Sequence, residues 1–416
     1  MRSNTSALLG EDTGSPSSIG DVRRGNLARV LLAIAAAPAG EYPTRAQLAT
    51  ATKLTKASVS SLVADLLARG LVCEVGLHHD GERGRPGTGL SLDASRCMLG
   101  MEINVDYVAA GLVDLTGGLL FECHRARQRS QRSPSAVLDA LAELVAQARQ
   151  HAAAQGLDVL GGALAVPGLV AADGRTVLQA PNLGWDAVIL DLERLGPALP
   201  LGISLFNEAN ASALAQQRLE INDAESFLFV SGEVGIGGGL VINGELYAGP
   251  HGHAGELGHV PVQPDGLPCS CGARGCLETV AGQDAIFRAA RILGREPGGA
   301  QPASSRAQCL ESLKSALERS DAQARQAVAQ AAQALAMAIV STIRLMDLPK
   351  VVLGGHFAVL GQWLLPELNA ALNTYAPALL AEDAIRLSDL GRSGALTGSA
   401  HAMVRSLLEA PHQLPA

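Results

Sequence analysis

Apolar residues recur at helical spacing after Gly25. In NLARVLLAIAAAP, Leu27, Val30, Leu31 and Ile34 share one face until Pro38, which a helix interior would not tolerate. A second, short helix is predicted from Thr44 to Ala51 with Thr44 as N-cap, followed by a turn through Lys53 and Leu54. A third begins at the cap Thr55 and runs to Gly70, burying Val59, Leu62, Val63, Leu66 and Leu67. Lys56, Ala57, Ser60 and Ser61 are left off that face, near the first turns. The period then changes: LVCEV reads as a strand, and HHDGERGRPGTGLSL as a hairpin whose turn carries Arg83 and Arg85 beside Gly and Pro. Near Arg96 the chain changes character again, and CMLGMEINVDYVAAGLVDLTGGLLFE reads as two strands joined by a tight turn at Thr116 and Gly117.

With 416 residues the chain exceeds one ordinary core and should divide into two or three domains. It is 48% hydrophobic but only 3% aromatic, which suits small-residue helices packed on sheets in an α/β fold. The first twenty residues, polar and rich in Gly, Ser and Thr, read as a mobile tail. No apolar run reaches the roughly 18 residues that span a bilayer, and no basic segment followed by an apolar core opens the sequence. A cytoplasmic location without a membrane partner is therefore expected.

The net charge of −8 excludes a surface built all over for nucleic acid, but the average conceals a local excess. Residues 21 to 92 hold nine Lys/Arg against six Asp/Glu. Short polar side chains at the front of the third helix suit close entry into a major groove, and Arg83 and Arg85 suit a wing set on phosphate or the minor groove. Lys56, Ala57, Ser60, Ser61, Arg83 and Arg85 are thus the candidate DNA contacts. The competing reading is a three-helix protein-interaction module with solvated basic residues; the wing with its Gly-Arg-Pro turn favours DNA.

Cys269, Cys271 and Cys276 fall within eight positions, with His259 ahead of them, while the other four cysteines are scattered. One imidazole and three thiolates form the Cys₃His set of a closed, tetrahedral structural Zn²⁺ site, and Gly272 and Gly275 allow the tight loop that it needs. The alternative is a group of free thiols in a loop. His251 and His253 read as ordinary loop residues, with His253 a lesser candidate for a ligand cleft.

Taken in order, GGALAVPGLV, LFNEANASAL, FLFVSGEVGIGGGLVINGELYAG, HGHAGELGHVPVQPDGLPCSCGARGCLETVAG and VVLGGH resemble the ROK family of bacterial sugar kinases and sugar-controlled repressors. The resemblance covers roughly residues 21 to 405 and is strongest at the cysteine segment. It implies an α/β, actin-like, two-lobed sugar-kinase fold preceded by a winged helix-turn-helix domain over residues 21 to 92. Residues 96 to 214 with 386 to 416 would form the first lobe, to which the C-terminal helix returns, and residues 215 to 385 the second. Sugar would lie in the cleft, which the metal loop supports, against Asn207, Glu208, Glu256, His259 and Glu278. Carboxylates and amides suit sugars because each can engage two neighbouring hydroxyls. The implied partners are operator DNA, a small sugar or sugar phosphate, and further copies of the chain as a homodimer or a dimer of dimers.

A kinase of this family needs a base for the sugar hydroxyl and a backbone cradle for ATP phosphates. The base position carries Glu208, one methylene longer than the family's Asp, and a displacement of about 1 Å can cost on the order of a hundredfold in rate. Where kinases have D-x-G-G-T, this chain has Glu102, Ile103, Asn104, Val105 and Asp106. Side chains fill both glycine positions, and a carboxylate stands in place of the Thr hydroxyl. The surviving run at Gly235, Gly237, Gly238 and Gly239 serves strand packing as readily as phosphate binding. The domain accordingly reads as a former kinase that keeps its sugar site as a sensor and has no catalytic residue. The alternative is an ATP-dependent sugar kinase with an attached DNA module.

Overall fold

The computed structural model describes residues 19–38, 40–78, 87–127, 133–196, 199–219, 226–293, 305–381 and 383–415. The chain forms two compact units, Met1–Arg96 with Val404–Ala416, and Cys97–Met403. Of the predicted tail, residues 1–18 lie outside the described residues, and Ile19 already belongs to a helix.

The first unit contains α1 (Ile19–Ala35), α2 (Arg45–Thr52), α3 (Lys56–Ala68), β1 (Val72–His78) and β2 (Gly87–Leu92). The caps act as the sequence anticipates: the Thr44 hydroxyl accepts from Gln47 N in a capping box, and Thr55 accepts from Ser58 N. Leu27, Val30, Leu31 and Ile34 of α1 are buried together with Leu48, Val59, Leu62, Val63 and Leu66; Leu67 is only half-buried. β1 and β2 pair antiparallel, with a bulge between Val75 and Leu77, and Thr44 adds a bridge to Gly89. The hairpin turn, residues 79–86, lies outside the described residues, and with it Arg83 and Arg85.

The second unit opens with β3 (Arg96–Ile103), β4 (Tyr107–Asp114) and β5 (Leu119–Ala126). The sequence pattern indicated two strands here, but there are three, because the chain also reverses at residues 104–106. There Asp106 N donates to Asn104 Oδ1, and Asn104 N to Tyr107 O, in a side-chain-mimicked turn that periodicity does not reveal. The segment continues through α4 (Pro134–Gln155), β6 (Asp158–Val166), β7 (Leu169–Val170), β8 (Thr176–Ala180), β9 (Trp185–Ile189), β10 (Ile203–Asn207) and α5 (Glu208–Leu219). Then follow β11 (Phe227–Gly232), β12 (Ile236–Ile242), β13 (Glu245–Leu246), α6 (Glu278–Ala281), α7 (Gln283–Ala289), α8 (Arg306–Glu318), α9 (Ala322–Met346), β14 (Lys350–Gly355), α10 (His356–Val359), α11 (Gly361–Tyr375), β15 (Ile385–Leu387) and α12 (Gly394–Glu409).

Two five-stranded sheets result, ordered β10-β6-β3-β4-β5 and β13-β12-β11-β14-β15. Counted in chain order within each sheet, both read 3-2-1-4-5, so the second unit contains the same sheet plan twice. Its two lobes are these repeats, each with its own core: α4 covers the first sheet through Val137, Leu141, Leu144 and Ala148, and α9 and α11 cover the second. The 25-residue α9 is long and apolar enough to cross a membrane by length and composition, yet Ala324, Ala327, Ala331, Leu335, Ala338 and Ile339 bury one side of it in the core. α12 begins within the second unit, where Leu396 and Ala400 pack on Gly100 of β3. From Val404 onward the chain groups with the first unit instead of the first lobe: the turn Pro411–Gln413 packs on α1, and the Arg69 guanidinium donates to Leu414 O.

Candidate functional site

After β13 a long loop carries the predicted metal ligands. His259 ends a 3-10 turn, Leu257–His259; Cys269 and Cys271 lie in the following turn, and Cys276 directly precedes Leu277 and α6. The turn closes through Cys269 N to Ala273 O at 2.8 Å and a bridge between Pro261 and Cys276. Gly275 sits at φ +67°, and a Cβ there would lie 1.5 Å from the Gln263 carbonyl oxygen, so only glycine fits. One ligand atom from each of His259, Cys269, Cys271 and Cys276 lies within 4.8 Å of the others. Cys271 Sγ and Cys276 Sγ are 3.7 Å apart, and Cys269 Sγ is 3.5 Å from His259 Nδ1. Bonds of about 2.3 Å to a tetrahedral ion place sulfurs roughly 3.8 Å apart, so the set fits one metal ion.

The remaining candidates fall in two groups. Around the cysteines, Glu256 Oε2 lies 3.8 Å from His259 Nε2, while Glu278 Oε1 accepts from Cys269 Sγ at 3.0 Å and Ser270 Oγ at 3.1 Å. His259 therefore turns Nδ1 to the thiols and Nε2 to Glu256. Burial raises the Glu256 pKa, against the opposing pull of His259 and His253, which places His253 in this neighbourhood. His251 and His253 stack edge to face, with ring centroids 6.4 Å apart.

The second group sits where β10 passes into α5. The Asn207 side chain donates to Gly168 O at 2.8 Å and accepts from Asn210 N at 3.0 Å, so it fixes the strand-to-helix junction. Glu208 is buried and accepts from Ser231 Oγ at 2.9 Å. The glycine run joins the groups by packing: a Cβ on Gly237 would strike Ala209, one on Gly239 would strike Ala213, and one on Gly238 would meet Gly255 O. A Cβ on Gly235 would lie 2.7 Å from Glu278 Oε2. These glycines let α5 and the metal loop close on β12.

Facing this junction is the turn that stands in the phosphate-loop position. Glu102 and Asn104 are buried, and Glu102 Oε1 accepts from Tyr107 Oη at 2.7 Å and Asn104 Nδ2 at 3.3 Å. Burial first, then the Glu208 carboxylate, push the Glu102 pKa up to about 8. Glu233, half-buried after β11, is raised well above its ordinary value by burial and by Glu208 and Glu102. Its backbone carbonyl and that of Gly232 face His356 Nδ1 at 3.2 and 2.7 Å. Asp106 is paired with Arg306 Nη1 at 2.9 Å, and the same guanidinium grips Asp284 through Nε at 2.8 Å and Nη2 at 2.9 Å. The first-lobe turn is thereby tied to α8 of the second lobe. Glu233, Tyr107, His356 and Arg306 escaped the sequence reading; a carboxylate within a glycine-rich run was the available signal for Glu233.

In the first unit, Lys56, Ala57, Ser60 and Ser61 are all exposed on α3. Arg23 of α1 reaches the same side, donating to Ser61 Oγ at 3.4 Å and pairing with Asp65 at 3.1 Å. It adds an arginine, half exposed, that the sequence pattern did not single out.

Residues 98–406 match the ROK family and residues 27–79 the MarR family. The chain is 27% identical to the DNA-binding transcriptional dual regulator NagC of Escherichia coli (strain K12) over 341 residues, 80% of this chain and 81% of that protein. It is 30% identical to the xylose repressor of Bacillus subtilis (strain 168) over 246 residues, 59% of this chain and 63% of the repressor. Among solved structures, a ROK family transcriptional regulator homologous to E. coli MLC superposes with a TM-score of 0.75 at 27% identity, covering 94% of this chain and 98% of that one.

Proposed function

The chain belongs to the ROK family with a MarR-type winged helix before it, and on that premise we propose how this sugar-responsive DNA-binding regulator works. His259, Cys269, Cys271 and Cys276 would hold a structural Zn²⁺, which fixes the loop and orients Glu256. Glu256, His259 Nε2, Glu278, Asn207 and Glu208 would border the sugar, and sugar contact would shift an equilibrium between lobe arrangements and with it operator affinity. Lys56, Ala57, Ser60 and Ser61 would face the operator, with Arg83 and Arg85 on the wing. We infer further that the chain works in the cytoplasm as a homodimer or a dimer of dimers.

The observation that carries the sensor reading over the kinase reading is the turn at residues 102–106. A phosphate cradle needs free backbone N–H groups and little negative charge; here Asn104 N and Asp106 N are already engaged, and Asp106 puts a carboxylate in the turn. ATP with a sugar panel should give no phosphorylated product. A thermal-shift screen should find a sugar that stabilises, since a ligand at a hundred times its dissociation constant adds about 2.7 kcal/mol. ATP-dependent turnover, or a panel without a stabilising sugar, would overturn the reading.

A further inference from the structure

We propose that Arg306 is a positioning residue which braces the two lobes through Asp106, and that this ion pair sets how tightly the cleft takes its sugar. The inference rests on the sugar-sensor reading above and deepens it.

The second-lobe end of the brace is preset. Ser305 caps α8 in a capping box with Gln308, which fixes the backbone beneath Arg306. The guanidinium then grips Asp284 of α7 with two parallel bonds, Nε to Oδ1 at 2.8 Å and Nη2 to Oδ2 at 2.9 Å. Such a fork-to-carboxylate pair fixes direction as well as contact. Nη1 is thereby aimed at Asp106 Oδ1, 2.9 Å away. Burial alone would lower the Arg306 pKa, but Asp284 and Asp106 hold it above its ordinary value, so the brace keeps its charge.

The first-lobe end is equally fixed. Arg127 N donates to Asp106 O at 2.7 Å, and Arg127 Nη1 donates to the carbonyls of Asn104 at 2.6 Å and Val105 at 3.4 Å. With Asn104 N on Tyr107 O and Asp106 N on Asn104 Oδ1, the backbone of the turn is tied down, while the Asp106 carboxylate reaches the other lobe. The turn in the phosphate-loop position therefore joins the lobes by a side chain of the protein itself.

Both ends adjoin the candidate sugar contacts. The turn starts from Glu102, whose pKa is raised by burial and then by Glu208; Asp284 lies on α7, directly after α6 and Glu278. Apparent affinity scales with the fraction of molecules already in the competent arrangement. A preset ion pair raises that fraction without touching the sugar.

The test titrates xylose, glucose and N-acetylglucosamine into the full chain by calorimetry. A sugar that binds wild type should bind Asp106→Ala at least about fivefold more weakly, the low end of coupling between sites. The fold should persist, because Arg306 keeps Asp284; Asp106→Asn is the second variant if it does not. In an Arg306→Gln background, Asp106→Ala should cost less than about twofold, since the pair is already broken. A purely local role for Asp106 would give the same loss in both backgrounds. That result, or unchanged affinity in Asp106→Ala, overturns the brace and leaves the sugar-site reading standing. Failure of all three sugars to bind wild type overturns the sugar site itself, and the brace with it.

Discussion

Glu102 holds its proton at neutral pH because burial and the Glu208 carboxylate raise its pKa to about 8 from an ordinary 4.5. Between those values the folded chain binds a proton that the unfolded chain has lost, so the contribution of Glu102 to stability falls as pH rises from about 4.5 through about 8. Glu102→Gln should flatten that part of the profile, by up to roughly 1.4 kcal/mol per pH unit; melting temperatures between pH 5 and pH 8.5 read it directly. Glu256 offers a separate test. Glu256→Ala should weaken sugar binding at least tenfold, since a hydrogen bond to a charged group contributes roughly 1.5 to 3 kcal/mol, while DNA binding without sugar stays near wild type. Titration of sugar into an operator complex compares the two, and an unchanged midpoint would remove Glu256 from the site. At this scale the sequence disclosed what lies close along the chain, such as three cysteines and a histidine in one loop. It did not disclose Arg306 on Asp106, a pair 200 residues apart whose partners are set by folding alone.

Among the elements, the helices of the first unit were legible because their punctuation is local: Thr44 and Thr55 each cap a helix by their own hydroxyls. The reversal at Asn104 was not, since strands β3 and β4 are buried on both sides and show no alternation across the turn. For α3 the exposed residues divide by role. Lys56→Ala should weaken operator and random DNA alike and reduce the salt dependence, whereas Ser60→Ala and Ser61→Ala should act chiefly on sequence preference. Binding curves at several salt concentrations, on operator and on scrambled DNA, separate the two; equal loss of specificity in all three variants would dismiss α3 as the reading helix. Because Arg23 also donates to Ser61, Ser61→Ala should loosen that arginine while its pair with Asp65 stays, an effect absent at Ser60.

For the whole molecule, the repeated 3-2-1-4-5 sheet plan explains why family resemblance could place two lobes where hydrophobic periodicity saw only a run of strands and helices. Strand order is a long-range property, and no single segment encodes it. The transfer of Val404–Ala416 to the first unit was hidden for the same reason. The metal loop should govern stability as a unit. Purified protein is expected to hold about one zinc per chain, and Cys271→Ser should lower both zinc content and melting temperature, because each lost thiolate opens the closed shell; metal analysis without chelator decides it. The 3.7 Å between Cys271 and Cys276 has a further consequence. With the ion in place both thiolates are occupied and shielded. Once it is stripped, they are neighbours free to be oxidised to a disulfide, and a loop so closed can no longer take the metal back. Chelation in the presence of reductant should thus be undone by added zinc, while chelation in air should leave a protein that zinc alone does not restore.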